Sequence, residues 1–270
     1  MARCYVKTDV NLWKRLMLEA AHIDYGEPLP TLTDEFISVW STHYEQIRTL
    51  TSPATPVLEI GSGYGILAAG LGILTGGPIW ATEHPSRAYL SRLQYQQFLH
   101  NYGVELIANT LSEGLPFMSA SIQSIYFCDV IEHLPPDDVL TILDEISRVL
   151  APGGKIILST PNLNRFSNIV RLLTGFSVNP PLQVCRVGAT LGHVREFTAR
   201  EMAYLLRRFG LKVLRRSYAL NPLFTREAFE RDAIDSRFAI SVVDATTRIL
   251  STIIPSVQDE MYILAIKTAK

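Results

Sequence analysis

Residues 57–65 read Val57-Leu58-Glu59-Ile60-Gly61-Ser62-Gly63-Tyr64-Gly65, a short apolar run that ends in a glycine-rich turn. A run of this length suits a strand buried on both faces, and the apolar stretch after Gly65 suits a helix opening directly behind the turn. Glycines lack a Cβ, so the backbone can approach a ligand closely, and the helix N-terminus behind them favours an anionic group. A dinucleotide fingerprint would place a third glycine where Ile66 stands. The order is G-x-G-x-G instead, which argues against nicotinamide binding.

Further short apolar runs follow at 79–82, 106–108, 122–128, 155–160, 211–214 and 261–267, separated by helix-like stretches. Strands alternating with helices are the sequence mark of parallel βα units with both sheet faces covered. One intervening helix is plain: Val139, Ile142, Leu143, Ile146, Val149 and Leu150 share a face, Asp137 suits its first turn, and Ala-Pro-Gly-Gly stops it. A second starts at Thr198, where Thr198-Ala-Arg-Glu201 forms a capping box, Met202, Leu205, Leu206 and Phe209 make the stripe, and Gly210 closes it.

Four segments place chemistry on this frame. The second run ends Thr82-Glu83-His84, a carboxylate about 20 residues after the glycine turn, where a ribose with two hydroxyls would lie. Residues 110–117 read Thr-Leu-Ser-Glu-Gly-Leu-Pro-Phe, and the fourth run closes Cys128-Asp129-Val130-Ile131-Glu132-His133-Leu134. Residues 145–162, Glu-Ile-Ser-Arg-Val-Leu-Ala-Pro-Gly-Gly-Lys-Ile-Ile-Leu-Ser-Thr-Pro-Asn, supply a helix, a turn and the fifth strand. In this order the segments resemble the class I S-adenosylmethionine-dependent methyltransferases over roughly residues 55–215.

The resemblance implies a Rossmann-like, doubly wound α/β fold: a seven-stranded, mostly parallel sheet with its last strand antiparallel and helices on both faces. It implies S-adenosyl-L-methionine as cofactor, held by Glu59, Gly61, Ser62, Gly63 and Gly65 at the turn, by Glu83 and His84 after the second strand, by Asn109, Thr110 and Leu111 after the third, and by Asp129 and Val130 after the fourth. Two departures stand out. Many relatives hold Asp where Thr110 stands, so the adenine amine would meet a neutral acceptor, Thr110 or Asn109, and relatives commonly read Phe-Asp where this chain has Ile122-Gln123.

His133 suits general-base work on an acidic hydroxyl because imidazole titrates near neutrality, with Glu132 and Asp129 orienting it; a histidine that only fixes a helix start is the bland alternative. These three residues could also hold a divalent ion, but no fully spaced ligand set is visible, and no metal is expected. His193 and Arg195, in Gly192-His-Val-Arg-Glu-Phe-Thr198, either touch substrate or fix a loop, and the loop reading is favoured.

Composition bounds the rest. Hydrophobic residues make up 47% of the 270 residues and charged residues 19%, enough to fill a large core. Twenty-five Lys and Arg offset twenty-six Asp and Glu, for a net charge of -1 without a basic tract, so nucleic acid is not expected as a partner. Cys4, Cys128 and Cys185 lack metal or disulfide spacing, and the N-terminus has no apolar signal region, which suits a reducing cytoplasm. Between Glu59 and Glu83 no charge occurs, but seven glycines and a Gly76-Gly77-Pro78 breaker make a membrane span there unexpected.

Residues 1–52 read as a helical N-terminal cover and 53–270 as the methyltransferase domain. An insertion at about 163–197 is expected to act as a lid over the acceptor, through the stripe Ile169, Leu172, Leu173 and Phe176. The expected reaction is transfer of a methyl group to a small molecule, an oxygen nucleophile on a quinone, sugar or lipid-linked glycan. A protein that binds the donor without turnover is the alternative that Thr110 and Gln123 motivate. Oligomeric state is not legible.

Overall fold

The computed structural model describes residues 10–26, 32–178, 193–224, 226 and 237–268. Seven strands form one sheet in the order β3-β2-β1-β4-β5-β7-β6. They are β1 (Val57–Ile60), β2 (Ile79–Glu83), β3 (Val104–Ala108), β4 (Ile122–Cys128), β5 (Leu150–Pro161), β6 (Leu211–Ala219) and β7 (Glu260–Lys267). β7 runs antiparallel to both β5 and β6, and the other pairings are parallel, as the sequence implies. Strand order reverses between β1 and β4, which opens a crevice at their carboxyl ends where open α/β sheets bind ligands.

Alternation along the buried strands divides the core in two. Val57 of β1, Tyr126 of β4 and Ile157 of β5 share a cluster with α1 (Val10–Ala20), α2 (Asp34–Leu50), α3 (Ile66–Thr75) and α4 (Leu93–Asn101). Leu58, Ile60, Phe127 and Leu158 point to the other face, against α5 (Pro136–Val149) and α7 (Ala199–Arg208). Side chains alternate faces with period two, so a strand of four apolar or buried residues serves both layers. Trp13 and Leu16 of α1 are fully buried in the same cluster as Val57, so the N-terminal cover shares a core with the sheet.

The α5 stripe is buried through Val149, whereas Leu150, expected on the same face, opens β5, and the helix's outer edge carries a latch. Glu145 Oε2 accepts from Leu115 N at 2.7 Å, while Arg148 donates to the carbonyls of Leu115 at 2.9 Å and Phe117 at 2.8 Å. These bonds pin the Leu-Pro-Phe segment and so fix the loop after β3. Thr198 caps α7 by accepting from Glu201 N, but the carboxylate of Glu201 turns to Arg195 instead of completing the capping box.

Further helices among the described residues include α6 (Phe166–Leu173) and α8 (Arg237–Ser251). In α6 the polar residues Ser167, Asn168 and Arg171 are buried, whereas Ile169, Leu172 and Leu173, with Phe176 just beyond the helix, are exposed. Polar partners beneath the helix account for this: Asn168 Nδ2 donates to Leu163 O at 3.0 Å and to Glu196 at 2.9 Å. The rest of the expected insertion, residues 179–192, lies outside the described residues. Among the described residues no helix is long and apolar enough to cross a membrane.

Candidate active site

Gly61, Gly63 and Gly65 all have positive φ, at 75°, 51° and 76°, which lets the chain turn from β1 into α3 without strain. A Cβ on Gly61 would come within 2.4 Å of Val130 Cγ2, so this glycine lets the β4 end pack against the turn. On Gly63 a Cβ would meet no protein atom within 4 Å. The glycine turn therefore has a packed side and an open side.

Register carries Glu83 beside this turn, because Ile60 pairs with Thr82. Glu83 Oε2 accepts from Gly63 N and Oε1 from His84 N, both at 2.7 Å. The His84 side chain folds outward onto Ser86 and is exposed. Glu59 is buried at the end of β1, and burial, with the Glu83 charge, pushes its carboxyl well above the usual range. Asn109 bonds the carbonyls of Thr110 and Gly114 through Nδ2, leaving Oδ1 as a buried acceptor without a protein donor. Thr110 beside it is half-buried.

At the end of β4, Asp129 has φ 54°, a left-handed conformation that aspartate tolerates better than most residues. Its Oδ1 accepts from Ser159 Oγ at 3.1 Å, and Oδ2 lies 2.9 Å from His43 Nε2. Burial raises the Asp129 carboxyl, but the His43 imidazole, together with bonds from Glu260 and Ser159, carries it below its ordinary value. Glu260 is pushed the opposite way by burial and the adjacent Asp129 charge. His43 continues through Nδ1 to Tyr262 Oη at 2.9 Å.

A turn of 3-10 helix at Ile131–His133 then presents Glu132 and His133. Glu132 is 1% exposed, and its Oε2 accepts from Thr160 Oγ1 at 2.9 Å. Its backbone carbonyl accepts from Val194 N at 2.7 Å and Arg195 N at 3.1 Å, which brings His193 alongside. The His133 and His193 rings meet at 5.0 Å between centroids. Glu196 orients His193 from behind, its Oε1 3.5 Å from Nδ1, and is itself clamped by Arg165 at 2.6 and 2.8 Å. Burial opposes ionisation of Glu196, yet Arg165 and His193 hold its carboxyl down at about 2.

These groups open onto a cavity of about 610 Å³. Gly63, Tyr64, Ile66 and Tyr89 form its glycine-turn end, Asp129, Glu132, His133 and His193 one wall, and Phe36, Trp40, Tyr44 and Phe224 an aromatic side. Of the residues singled out in the sequence, Gly63, Asp129, Glu132, His133 and His193 line this space. Glu59, Gly61, Gly65, Glu83 and Asn109 frame the turn and its neighbours, whereas His84 does not point into the site. His43, Trp40 and Tyr44 on α2, and Glu260 and Tyr262 on β7, were not anticipated. The only sequence signal for the α2 group is a dense His-aromatic stretch, Trp40-Ser-Thr-His43-Tyr44.

The family model for the methyltransferase domain matches residues 35–216. The chain belongs to this family. It is an S-adenosylmethionine-dependent methyltransferase, and the match begins inside α2, so the helix carrying His43 lies within it. Protein-L-isoaspartate O-methyltransferase of Koribacter versatilis (strain Ellin345) is 26% identical over 178 residues, 64% of this chain and 73% of that protein. Among solved structures, the [4+2]-cyclase SpnF superposes with a TM-score of 0.58 at 14% identity, over 96% of this chain and 94% of its own. Phosphoethanolamine N-methyltransferase 2 of Haemonchus contortus, in complex with S-adenosyl-L-methionine, gives 0.56 at 14% identity, over 98% of this methyltransferase and 58% of that chain. These two likenesses show the fold.

Proposed function

We propose that this methyltransferase moves the sulfonium methyl of S-adenosylmethionine to a hydroxyl on a small, partly apolar acceptor, a hydroxylated ring of the quinol type. The observation that carries the reading is the division of the cavity into an aromatic side, Phe36, Trp40, Tyr44 and Phe224, and a polar wall, Asp129, Glu132, His133 and His193. A flat ring buries its faces on the aromatics and aims its hydroxyl at the wall, whereas a sugar would leave several hydroxyls against apolar surface without partners.

The donor would lie along the glycine turn. Glu59 and Gly61 to Gly65 would meet its amino-acid end, Glu83 its ribose hydroxyls and Asn109 its adenine amine. That arrangement puts the methyl near Asp129, over the cavity. A sulfonium methyl is already activated, so holding the two reactants in line supplies much of the rate, and the acceptor hydroxyl gives up its proton at the wall that carries Glu132 and His133.

A panel of quinols, catechols, glycosides and primary amines, each incubated with trideuteromethyl donor and read by mass spectrometry, tests the acceptor class. Label is expected in the phenolic compounds as a methyl ether. Label confined to amines or glycosides would overturn the reading.

The insertion enters this proposal as a cover over the acceptor end. Its stripe Ile169, Leu172, Leu173 and Phe176 is exposed, and a closed cover would bury it. Hydrogen exchange of residues 164–178 is expected to be faster than that of β5 in the free protein and to slow when S-adenosylhomocysteine and acceptor are both bound. Strong protection from the outset, unchanged by ligands, would mark a permanently packed helix.

A further inference from the structure

We propose that Glu132, His133 and His193 form a binding site for one divalent transition-metal ion on the polar wall of the cavity. The sequence shows an adjacent acid and imidazole but no third ligand. The fold supplies it: one ligand atom from each of the three residues lies within 4.8 Å of the others, although His193 is 60 positions further along the chain. All three residues line the cavity, so the ion would keep open positions for a hydroxyl or water.

The surrounding contacts have the form of an outer shell. Thr160 occupies Oε2 of Glu132, so Oε1, 3.9 Å from His133 Nε2, is the oxygen turned toward the imidazoles. Glu196 takes the Nδ1 side of His193, so this imidazole would offer Nε2 to the ion. A carboxylate behind a ligating imidazole is the usual device for fixing its tautomer and orientation. Here Arg165 and Asn168 fix that carboxylate in turn. The two bonds from Val194 N and Arg195 N to the Glu132 carbonyl tie the distant loop directly to the first ligand.

Charge favours an ion here as well. Asp129, Glu132 and Glu260 lie close enough for their charges to act on one another, and Glu132 and Glu260 are both 1% exposed. Burying carboxylates in company is costly unless cations or protons accompany them, and a divalent ion held by Glu132 offsets part of that cost. One oxygen and two imidazoles suit Mn²⁺, Fe²⁺, Co²⁺ or Zn²⁺ better than an all-oxygen preference such as that of Mg²⁺.

The chemical role rests on the hydroxyl-acceptor reading above. An acceptor hydroxyl bound to the ion loses its proton to water more readily. Its oxygen then forms the new O–C bond as the C–S bond breaks, and the electron pair returns to sulfur, leaving neutral S-adenosylhomocysteine. No electron is gained or lost by the ion.

The test uses Mn²⁺ and Co²⁺ on the full chain after removal of bound metal with a chelator. Electron paramagnetic resonance is expected to show one Mn²⁺ taken up per chain, and Co²⁺ to give visible d–d absorption altered by imidazole ligands. His193→Ala and Glu132→Gln are expected to weaken Mn²⁺ binding at least about tenfold. Glu105→Ala, on the edge strand β3 and outside the cavity lining, is expected to leave it unchanged. Retained S-adenosylhomocysteine binding in His193→Ala would verify that this variant is folded. Absence of Mn²⁺ and Co²⁺ binding by the wild-type chain, or binding that survives His193→Ala and Glu132→Gln, would overturn the metal site. Metal binding as described, with no phenolic product, would instead support the site and remove the acceptor reading.

Discussion

Glu83→Ala is expected to weaken S-adenosylhomocysteine binding by about a hundredfold, the result of removing charged acceptors from two ribose hydroxyls. Hydrogen bonds to charged groups contribute roughly 1.5–3 kcal/mol each, and about 1.4 kcal/mol corresponds to tenfold in affinity. Glu83 already accepts from Gly63 N and His84 N, and each carboxylate oxygen retains a lone pair for a further donor. The variant therefore loses both the ribose contacts and the brace on the glycine turn. Gly63→Ala is a companion that changes shape without removing charge. Its methyl meets no protein atom within 4 Å, so a clash would come from the donor alone. The positive φ adds strain of about 1–2 kcal/mol, which a large domain tolerates. Calorimetry should give at least about tenfold weaker binding for Gly63→Ala, with both variants still melting cooperatively. Unchanged affinity in both would remove the donor from this turn.

The second large effect falls on turnover. Glu132→Gln is expected to lower kcat by about 10²–10³ while donor affinity stays within about twofold, since proton transfer or metal-assisted activation at this position acts on the acceptor only. The substitution keeps the side-chain shape, and the amide oxygen can still accept from Thr160, so the fold should survive. Its main-chain carbonyl, which fastens the His193 loop, is untouched. Single-turnover kinetics separates chemistry from binding. A variant with wild-type kcat would show that Glu132 only supports the loop.

The sheet was legible because its central strands are apolar on both faces, and the glycine turn because its backbone requires residues without a Cβ. The sheet's two edge strands were read too short. β3 starts at Val104, ahead of the expected 106, since Glu105 interrupts the apolar pattern on an edge. β6 continues through Arg215 and Arg216 to Ala219, charges that an edge strand can carry into solvent. Local pattern left the packing of α6 open: Arg165, Asn168 and Glu196 form a polar network that turns its polar face inward and leaves the apolar stripe outward.

What the sequence could not show were partners brought together by topology. α2 is recognisable as a helix, with Thr33 accepting from Phe36 N at its start, but His43, Glu45 and Arg48 look like solvent-facing residues until their partners are known. Trp13 donates to Glu45, and Asp129 and Tyr262 meet His43, across separations that no spacing rule anticipates. His193 joins Glu132 in the same manner, carried there by main-chain bonds from Val194 and Arg195 to a carbonyl more than 60 positions earlier. The residues proposed to hold the donor stand in order along the chain. The acceptor wall became visible only when β4, β7, α2 and the loop before α7 were seen in space.

Transfer of a labelled methyl group tests the central claim most directly. Wild-type protein, trideuteromethyl S-adenosylmethionine and an untargeted small-molecule extract should yield S-adenosylhomocysteine together with a compound heavier by one trideuteromethyl group in place of hydrogen. A chain that binds the donor yet labels nothing in any extract fraction, with or without added Mn²⁺, would be a donor-binding protein without turnover and would contradict the assignment of methyl transfer to this site.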